Sequence, residues 1–401
     1  MSERQRATGG MSSPVLTAAP QDRERLARVA LGRLFEPGDR RLDALLAGMT
    51  GYELFEQLLD WNPDDPLLAE ASKDVAARLA CLRPDEDLEI AERHGCRYVI
   101  PGDDEWPEQL SRLQGKEPVQ ERTGVPLGLW VRGPLRLDAL ASSVAIVGSR
   151  DATSYGSEVT AQLAHQLTTK GHVIVSGGAF GIDAAAHRGA LASAVGHTVA
   201  VLACGIDKLY PAGNARLLRA VAERDAVITE VAPGLPVTRM RFLGRNRVIA
   251  ALARGTVVVE AAARSGAINT ASWATTINSP LMAVPGNVTE EVSIGVHELI
   301  RSGKAVLVTS ADDVLELVGR PGEHLVSVPR GPERRRDRLT ATHRQILDAV
   351  PVARPATAVS IARAAGIHPG TVGSALETFE KRGLVERLDG GWLLTPEAAR
   401  S

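Results

Sequence analysis

A chain of 401 residues is longer than one typical domain and is sufficient for two or three, each with its own hydrophobic core. Its 46 Lys and Arg residues are nearly balanced by 48 Asp and Glu residues, and the formal net charge is -2. This balance excludes the overall polybasic character that attracts nucleic acid or anionic membranes over a whole surface. Any anion-binding site must therefore be local.

The cysteines and the apolar runs indicate the compartment. Cys81, Cys96 and Cys204 are widely separated, which predicts neither a disulfide framework nor a zinc site. No stretch reaches the apolar length of a membrane span, and the first residues lack the apolar core of a signal peptide. We therefore expect a cytoplasmic protein with no membrane partner.

Composition divides the chain into five segments: 1–20, 21–95, 96–319, 320–339 and 340–395. The first is rich in small and polar residues and predicts a disordered tail. The second carries apolar residues at helical spacing and predicts a small helical domain. The fourth is rich in Pro, Gly and Arg and predicts a linker.

The third segment alternates strands with helices. Its strands are runs of Val, Ile and Ala without polar alternation, which is typical of strands covered on both faces. Strands are predicted at 98–100, 127–131, 144–147, 173–175, 199–202, 226–229, 257–259, 282–284 and 305–308. Helices are predicted at 106–113 and from near Ser154, Ile182, Asn214, Phe242, Ala267 and Val296. The pattern predicts an α/β fold with a doubly wound, mostly parallel sheet.

The last segment contains three helical patterns and then two short strands, 384–388 and 391–395, around an Asp-Gly-Gly turn. This order resembles a winged helix. Its candidate recognition helix, His368–Lys381, has one Lys and two Glu, which are too few cations for a strong major-groove reader. Dimerisation or partner contact is therefore favoured over sequence-specific duplex binding.

Three turns follow strands of the predicted sheet, at the edge where ligands bind in open α/β folds. They contain Gly148-Ser149-Arg150, the three glycines of Ser176–Asp183, and Arg264-Ser265-Gly266. Glycine lets backbone N–H groups approach a phosphate, and a helix N-terminus favours negative charge. Glycine is also needed for a tight connection alone, but three turns at one edge favour a single anion-binding pocket.

A fourth candidate is the helix start Arg239–Arg247, which contains four arginines in nine residues. A solvated charged face is the usual role of such a run. Here the arginines precede a buried helix near the same sheet edge, which favours phosphate contact. Neither GxxxxGK[ST] nor GxGxxG is present.

Candidate reaction centres are weak. Asp183 and His187 could share a metal, but a third ligand is not evident. Cys204 could be a thiolate, although a small buried residue is the favoured interpretation. Glu230 and Glu260 end strands and could serve as acid and base. The sequence favours a binding site, with no catalytic residue, metal or cofactor.

The motif series VAIVGSRDATSYG, VSGGAFGIDAAAHRGAL, VAVLACGIDKLYPAGNARLL, GRNRVIAAL, VVVEAAARSGAINTA and MAVPGNV resembles the DNA-processing protein A family, also called DprA or Smf. The resemblance covers about residues 127–319. It implies an extended Rossmann fold between an N-terminal helical domain like a sterile alpha motif (SAM-like) and a C-terminal winged helix.

The resemblance also implies a function. It implies a non-enzymatic homodimer that binds and protects incoming single-stranded DNA and loads the RecA recombinase during natural transformation. Carried over by motif, the DNA site comprises Gly148, Ser149, Arg150, Gly177, Gly178, Phe180, Gly181, Arg245, Arg247, Arg264, Ser265 and Gly266.

The sequence departs from the family pattern at several points. Phe180 and Ala212 stand where the family usually has cations. Phe180 could stack on a base or pack in the interior. The alternative function is that of a Rossmann-like nucleotide sensor or a phosphoribohydrolase-like enzyme. The phrase EAAARSGAINT, in place of a PGGxGT-like turn, counts against the enzyme.

Overall fold

The computed structural model describes residues 14–60, 66–79, 81–320, 322–324 and 335–400. The chain forms two compact units, Met1–Val326 and Ser327–Ser401. The first unit contains both the helical segment and the α/β segment, and the predicted boundary between them stays a prediction. The second contains the predicted three helices and two strands.

Six helices occur in the described part of residues 14–93: α1 (Pro14–Thr17), α2 (Pro20–Leu34), α3 (Arg40–Leu46), α4 (Gly51–Asp60), α5 (Pro66–Leu79) and α6 (Pro84–Arg93). Leu34, Leu54 and Leu58 are buried between them, as the helical spacing predicts. The predicted tail, residues 1–20, overlaps α1, which buries Val15. Residues 1–13 of that tail lie outside the described residues.

Nine strands form one sheet: β1 (Cys96–Val99), β2 (Leu129–Arg132), β3 (Ser143–Val147), β4 (Val173–Ser176), β5 (Thr198–Val201), β6 (Ala226–Thr229), β7 (Gly255–Val258), β8 (Leu281–Ala283) and β9 (Val306–Leu307). Their order is β1-β2-β6-β5-β4-β3-β7-β8-β9. The β1–β2 and β2–β6 pairs are antiparallel, and the other six pairs are parallel. The predicted strands and the mostly parallel sheet are confirmed.

Seven helices flank the sheet: α7 (Ser154–Thr169), α8 (Ile182–Leu191), α9 (Ala215–Arg224), α10 (Arg239–Leu252), α11 (Gly266–Thr276), α12 (Ile294–Arg301) and α13 (Ala311–Val318). Both sheet faces are covered: Val144 and Ile146 of β3 lie in one core cluster, and Ala145 and Val147 in another. Several elements differ from the prediction, among them the unpredicted 3-10 helix Leu137–Ser142. The helix expected near residues 106–113 is a 3-10 helix, Glu108–Leu113, and α13 was not predicted.

The helical segment packs directly on α10. Glu36 accepts two hydrogen bonds from Arg241, at 2.9 Å from Nε and 2.8 Å from Nη2. Gly244 lies against Pro37 so closely that a Cβ at Gly244 would be 2.6 Å from the Pro37 carbonyl oxygen. The first turns of α10 are therefore positioned from outside the sheet.

The second unit contains α14 (Ala341–Asp348), α15 (Ala358–Ala365), α16 (Pro369–Lys381), β10 (Val385–Leu388), β11 (Gly391–Leu394) and α17 (Pro396–Arg400). Ile346, Leu376 and Phe379 are buried among these elements. The antiparallel pair β10–β11 confirms the predicted hairpin. Of the predicted linker, residues 321 and 325–334 lie outside the described residues.

Candidate functional site

A cleft of about 680 Å³ opens at the carboxyl ends of the parallel strands, within the size range of ligand sites. The turns after β3 and β7 and the first turns of α10 and α11 enclose it. Its charged lining residues are Arg150, Arg239, Arg245, Arg264, Asp151 and Asp183. The cleft is therefore locally basic, although the whole chain carries a net charge of -2.

Several of the predicted site residues meet in this cleft: Gly148, Ser149, Arg150, Arg245, Arg264, Ser265 and Gly266. The others do not line it: Gly177, Gly178, Phe180, Gly181 and Arg247. The turns after β3 and β7 therefore converge as expected. Of the turn after β4, Ala179 and Asp183 line the cleft, but its three glycines do not.

The glycine turn lies directly behind the turn after β3. Gly181 has a φ of 70°, and a Cβ there would lie 2.3 Å from the Ser149 carbonyl oxygen. The Ile182 N–H donates to that same oxygen at 3.1 Å. On the other side, Asn214 Nδ2 donates to the Gly178 carbonyl at 3.1 Å. The glycine turn thus supports the Ser149 turn, which itself faces the cleft.

Arg245 is a buried cation in the cleft wall. Its Nη1 donates to the Val201 carbonyl at 3.1 Å, and its Nε has no hydrogen-bond partner in the described structure. A Cβ at Gly177 would lie 1.5 Å from Nη1, so the space for the guanidinium depends on that glycine. Burial lowers the pKa of Arg245 to about 10, against the opposing charge of Asp183, and the side chain stays protonated at neutral pH. For the carboxyl group of Asp183 burial has the opposite effect and raises the pKa.

The prediction that Arg247 contacts DNA is corrected by the structure. Its side chain is 1% exposed and forms a bidentate ion pair with Glu230, with Nη2 at 2.7 Å from Oε1. It also donates to the carbonyls of Gly124 at 2.8 Å and Gly244 at 2.7 Å. Arg247 is therefore an internal structural cation.

The four cleft arginines differ from such structural arginines. Arg150, Arg239, Arg245 and Arg264 form no ion pair with a carboxylate in the described part of the chain. An arginine without a carboxylate partner keeps its planar fork available for a phosphate. Arg150, Arg239 and Arg264 are exposed and thus available to a ligand, whereas the buried Arg245 lies near the opposing charge of Asp183.

Phe242 and Arg239 also line the cleft and were missed as individual site residues. The guanidinium carbon of Arg150 lies 4.8 Å from the centre of the Phe242 ring, and that of Arg245 lies 5.7 Å from it. Tyr210 is 44% exposed, and its ring centre is 6.1 Å from that of Phe242. Arg239, Phe242 and Arg245 lie at three-residue spacing on α10, and this spacing is the signal that could have identified the first two.

Phe180 is 48% exposed, so it does not pack in the interior. Its ring lies against the backbone of Gly213, where a Cβ would be 2.9 Å from two ring carbons. The structure therefore favours the exposed alternative for Phe180, outside the cleft lining. Whether it contacts a base stays a prediction.

The candidate reaction centres are engaged elsewhere. Glu260 is buried and accepts hydrogen bonds from the Thr153 N–H at 3.0 Å and hydroxyl at 2.6 Å. Burial raises the pKa of Cys204 to about 11 and lowers that of His187 to about 3, so both are neutral at pH 7. The His187 Nδ1 is 2.8 Å from the Thr198 hydroxyl. No group of three or more metal-ligating side chains occurs among the described residues.

Fold and cleft together define a Rossmann-type α/β protein with an arginine-rich cleft at the carboxyl edge of its sheet. The described helices include none that is long and apolar enough to cross a membrane. The family model described as DNA recombination-mediator protein A matches residues 97–319. The chain belongs to this family.

Individual relatives agree with the family assignment. A Mycobacterium tuberculosis protein with a provisional DprA name is 43% identical over 365 residues, which cover 90% of this chain and 92% of the relative. The DNA processing protein DprA of Streptococcus pneumoniae is 40% identical over 190 residues, which cover 47% of this chain and 66% of the relative. A crystal structure of the S. pneumoniae protein matches with a TM-score of 0.57 and 30% identity, and covers 72% of this chain and 96% of that one.

Proposed function

We propose that the protein is a non-enzymatic recombination mediator that binds single-stranded DNA in the arginine-lined cleft. The carrying observation is the convergence of three exposed arginines, Arg150, Arg239 and Arg264, on one cleft, none of them in an ion pair with a carboxylate in the described structure. Arginine forks grip phosphates without regard to base identity. Family membership supports the same ligand class.

The aromatic residues beside the arginines favour a single strand over a duplex. Phe242 lies in the cleft and Tyr210 is exposed beside it. An aromatic ring stacks only on a base that has left its own stack, and such contacts are typical of single-strand binders. A duplex keeps its bases stacked and offers the cleft phosphates alone. We therefore expect weaker binding to duplex DNA.

Other parts of the proposal follow from the family resemblance. We expect a homodimer in the cytoplasm that protects incoming DNA and loads RecA during transformation, with a SAM-like N-terminal domain and a winged-helix C-terminal unit. Light scattering tests the dimer, and RecA filament growth on protein-coated DNA tests loading. A monomer, or filament growth unchanged by the protein, would contradict the respective part.

The structure gives no support to the nucleotide-hydrolysing alternative, because the two carboxylates that would act as acid and base already have partners within the fold. Glu230 is paired with Arg247, and Glu260 accepts hydrogen bonds from Thr153. Neither lines the cleft. We expect no base release from nucleoside monophosphates. Release that is abolished in Glu260→Gln would reverse this conclusion.

Fluorescence anisotropy with labelled single-stranded and duplex oligonucleotides tests DNA binding directly. We expect tighter binding to the single strand, with a salt slope of about 0.7 per phosphate neutralised. The double variant Arg150→Ala with Arg264→Ala should lose at least about tenfold in affinity, and its salt slope should fall because two phosphate contacts are removed. Arg301→Ala, an exposed arginine on α12 outside the cleft, is the matched control. Equal affinity in the double variant and the control would refute the site.

A further inference from the structure

Three amide side chains form a chain of hydrogen bonds along the cleft. Asn246 Nδ2 donates to Asn269 Oδ1 at 3.1 Å, and Asn269 Nδ2 donates to Gln120 Oε1 at 3.2 Å. Asn246 and Asn269 are 7% and 5% exposed, whereas Gln120 is exposed. All three line the cleft. We call this set, Gln120, Asn269 and Asn246, the amide chain.

The two ends of the amide chain keep free hydrogen-bonding groups. The Gln120 amide nitrogen and the Asn246 carbonyl oxygen make no hydrogen bond within the described structure. The Asn246 oxygen is not among the unpartnered side-chain atoms that are fully buried, and Gln120 is an exposed residue. A donor at one end and an acceptor at the other are therefore open to the cleft.

The backbone around Gln120 fixes the outer end of the amide chain. Gln120 and Glu121 have φ values of 51° and 63°, a left-handed conformation that residues with side chains rarely adopt. They form a two-residue turn between Val119 and Arg122, whose backbones exchange hydrogen bonds of 3.0 and 3.2 Å. The inner end of the amide chain is fixed by α10 and α11, which carry Asn246 and Asn269. The amides are thus pre-positioned before any ligand enters.

The chemistry of these groups suits a base more than a phosphate. The free amide N–H groups of Gln120 and the free carbonyl oxygen of Asn246 supply neutral donors and a neutral acceptor, and the edge of a base carries partners for both. A phosphate offers acceptors only, and the unpaired arginines of the same cleft serve it better. In single-stranded nucleic acid the base edge is free for such contacts.

We propose that the amide chain reads the edge of one unpaired base in the bound strand, and so gives the protein a base preference at one nucleotide position. The proposal rests on the proposed binding of single-stranded DNA in this cleft. It adds a specificity-determining subsite to a cleft whose cations are indifferent to sequence.

Affinities for oligo-dT, oligo-dA, oligo-dC and an abasic strand of equal length test the proposal. We expect the full-length protein to prefer one base by about fivefold or more. Gln120→Ala and Asn269→Leu should reduce that preference to less than about twofold, with affinity for the abasic strand and the salt slope unchanged, because no phosphate contact is lost. Gln114→Ala, an exposed glutamine before the same turn and outside the cleft, is the control and should keep the preference.

The outcomes separate the subsite from the proposed function. If the wild-type protein binds single strands but both variants keep its base preference, the subsite is wrong and the proposed function stands. Equal loss of affinity for the abasic strand would make the amides backbone contacts and would also overturn the subsite. Failure of the wild-type protein to bind any strand would refute the proposed function and the subsite together. Gln120 is exposed, so its variant remains informative if Asn269→Leu does not fold.

Discussion

Replacement of Arg247 by methionine should destabilise the protein without removing a DNA contact. The substitution keeps the volume of the side chain but leaves the Glu230 carboxylate, 9% exposed, without its cation. It also removes the donors for the carbonyls of Gly124 and Gly244. Loss of one partner of a buried ion pair costs about 3–5 kcal/mol, because the remaining charge stays buried and unpaired.

Urea unfolding of four proteins measures this effect: wild type, Arg247→Met, Glu230→Gln and the double variant. Each single substitution should lower the free energy of unfolding by about 3–5 kcal/mol, and the double variant should lose less than the sum of the two. At a temperature where the variant is folded, single-strand affinity should remain near that of the wild type.

Arg264→Met is the matched control because Arg264 is exposed at the cleft. It should show the opposite pattern, with an unfolding free energy within about 0.5 kcal/mol of the wild type and a clear loss of affinity. If Arg247→Met instead lost affinity while its stability stayed within about 1 kcal/mol of the wild type, its role as an internal cation would be refuted.

Three further predictions concern the turn, a buried histidine and the second unit. Gly171→Ala should cost about 1 kcal/mol, since Gly171 has a φ of 85° with open space around it, and Gly181→Ala should cost more, since its Cβ would also meet the Ser149 carbonyl oxygen; equal losses in thermal melts would contradict this. Burial lowers the pKa of His187 from 6.5 to about 3, so the unfolded chain takes up a proton that the folded protein does not, and stability falls as pH drops from 6.5 towards 3. Urea unfolding across that pH range measures the effect. In His187→Leu the free energy of unfolding should depend less steeply on pH, by up to about 1.4 kcal/mol per pH unit, and an unchanged pH dependence would contradict this role of His187. Removal of residues 327–401 should leave most single-strand affinity intact in anisotropy titrations, and loss of most of it would assign DNA contacts to the second unit.

The sheet could be predicted from the sequence because its strands are buried on both faces. A run such as Val144–Val147 contains no polar residue, which is the pattern of a strand covered on both faces. α13 was missed, although Ser310 and Asp313 form a capping box that can be read from the sequence. The 3-10 helix at Glu108–Leu113 could not be distinguished from an α-helix, because one apolar turn fits both.

The site was predicted only in part because a side chain's direction depends on packing. Arg245 and Arg247 lie two residues apart on α10, yet one lines the cleft and the other pairs with Glu230. Side chains two residues apart on a helix point to different faces, but only the folded structure shows that Glu230 lies on the side of Arg247. Gln120 had no signal at all, since its loop reaches the cleft from more than a hundred residues before Asn246 and Asn269.

The packing of the helical segment on α10 has a consequence for genetics. Pro37 and Glu36 touch the turns of α10 that carry Phe242 and Arg245, yet neither lines the cleft. A screen for loss of function should therefore recover substitutions at Pro37, Glu36 and Gly244 alongside those in the cleft. A map of such mutations drawn on the sequence alone would show two separate regions, although in the folded protein they are neighbours.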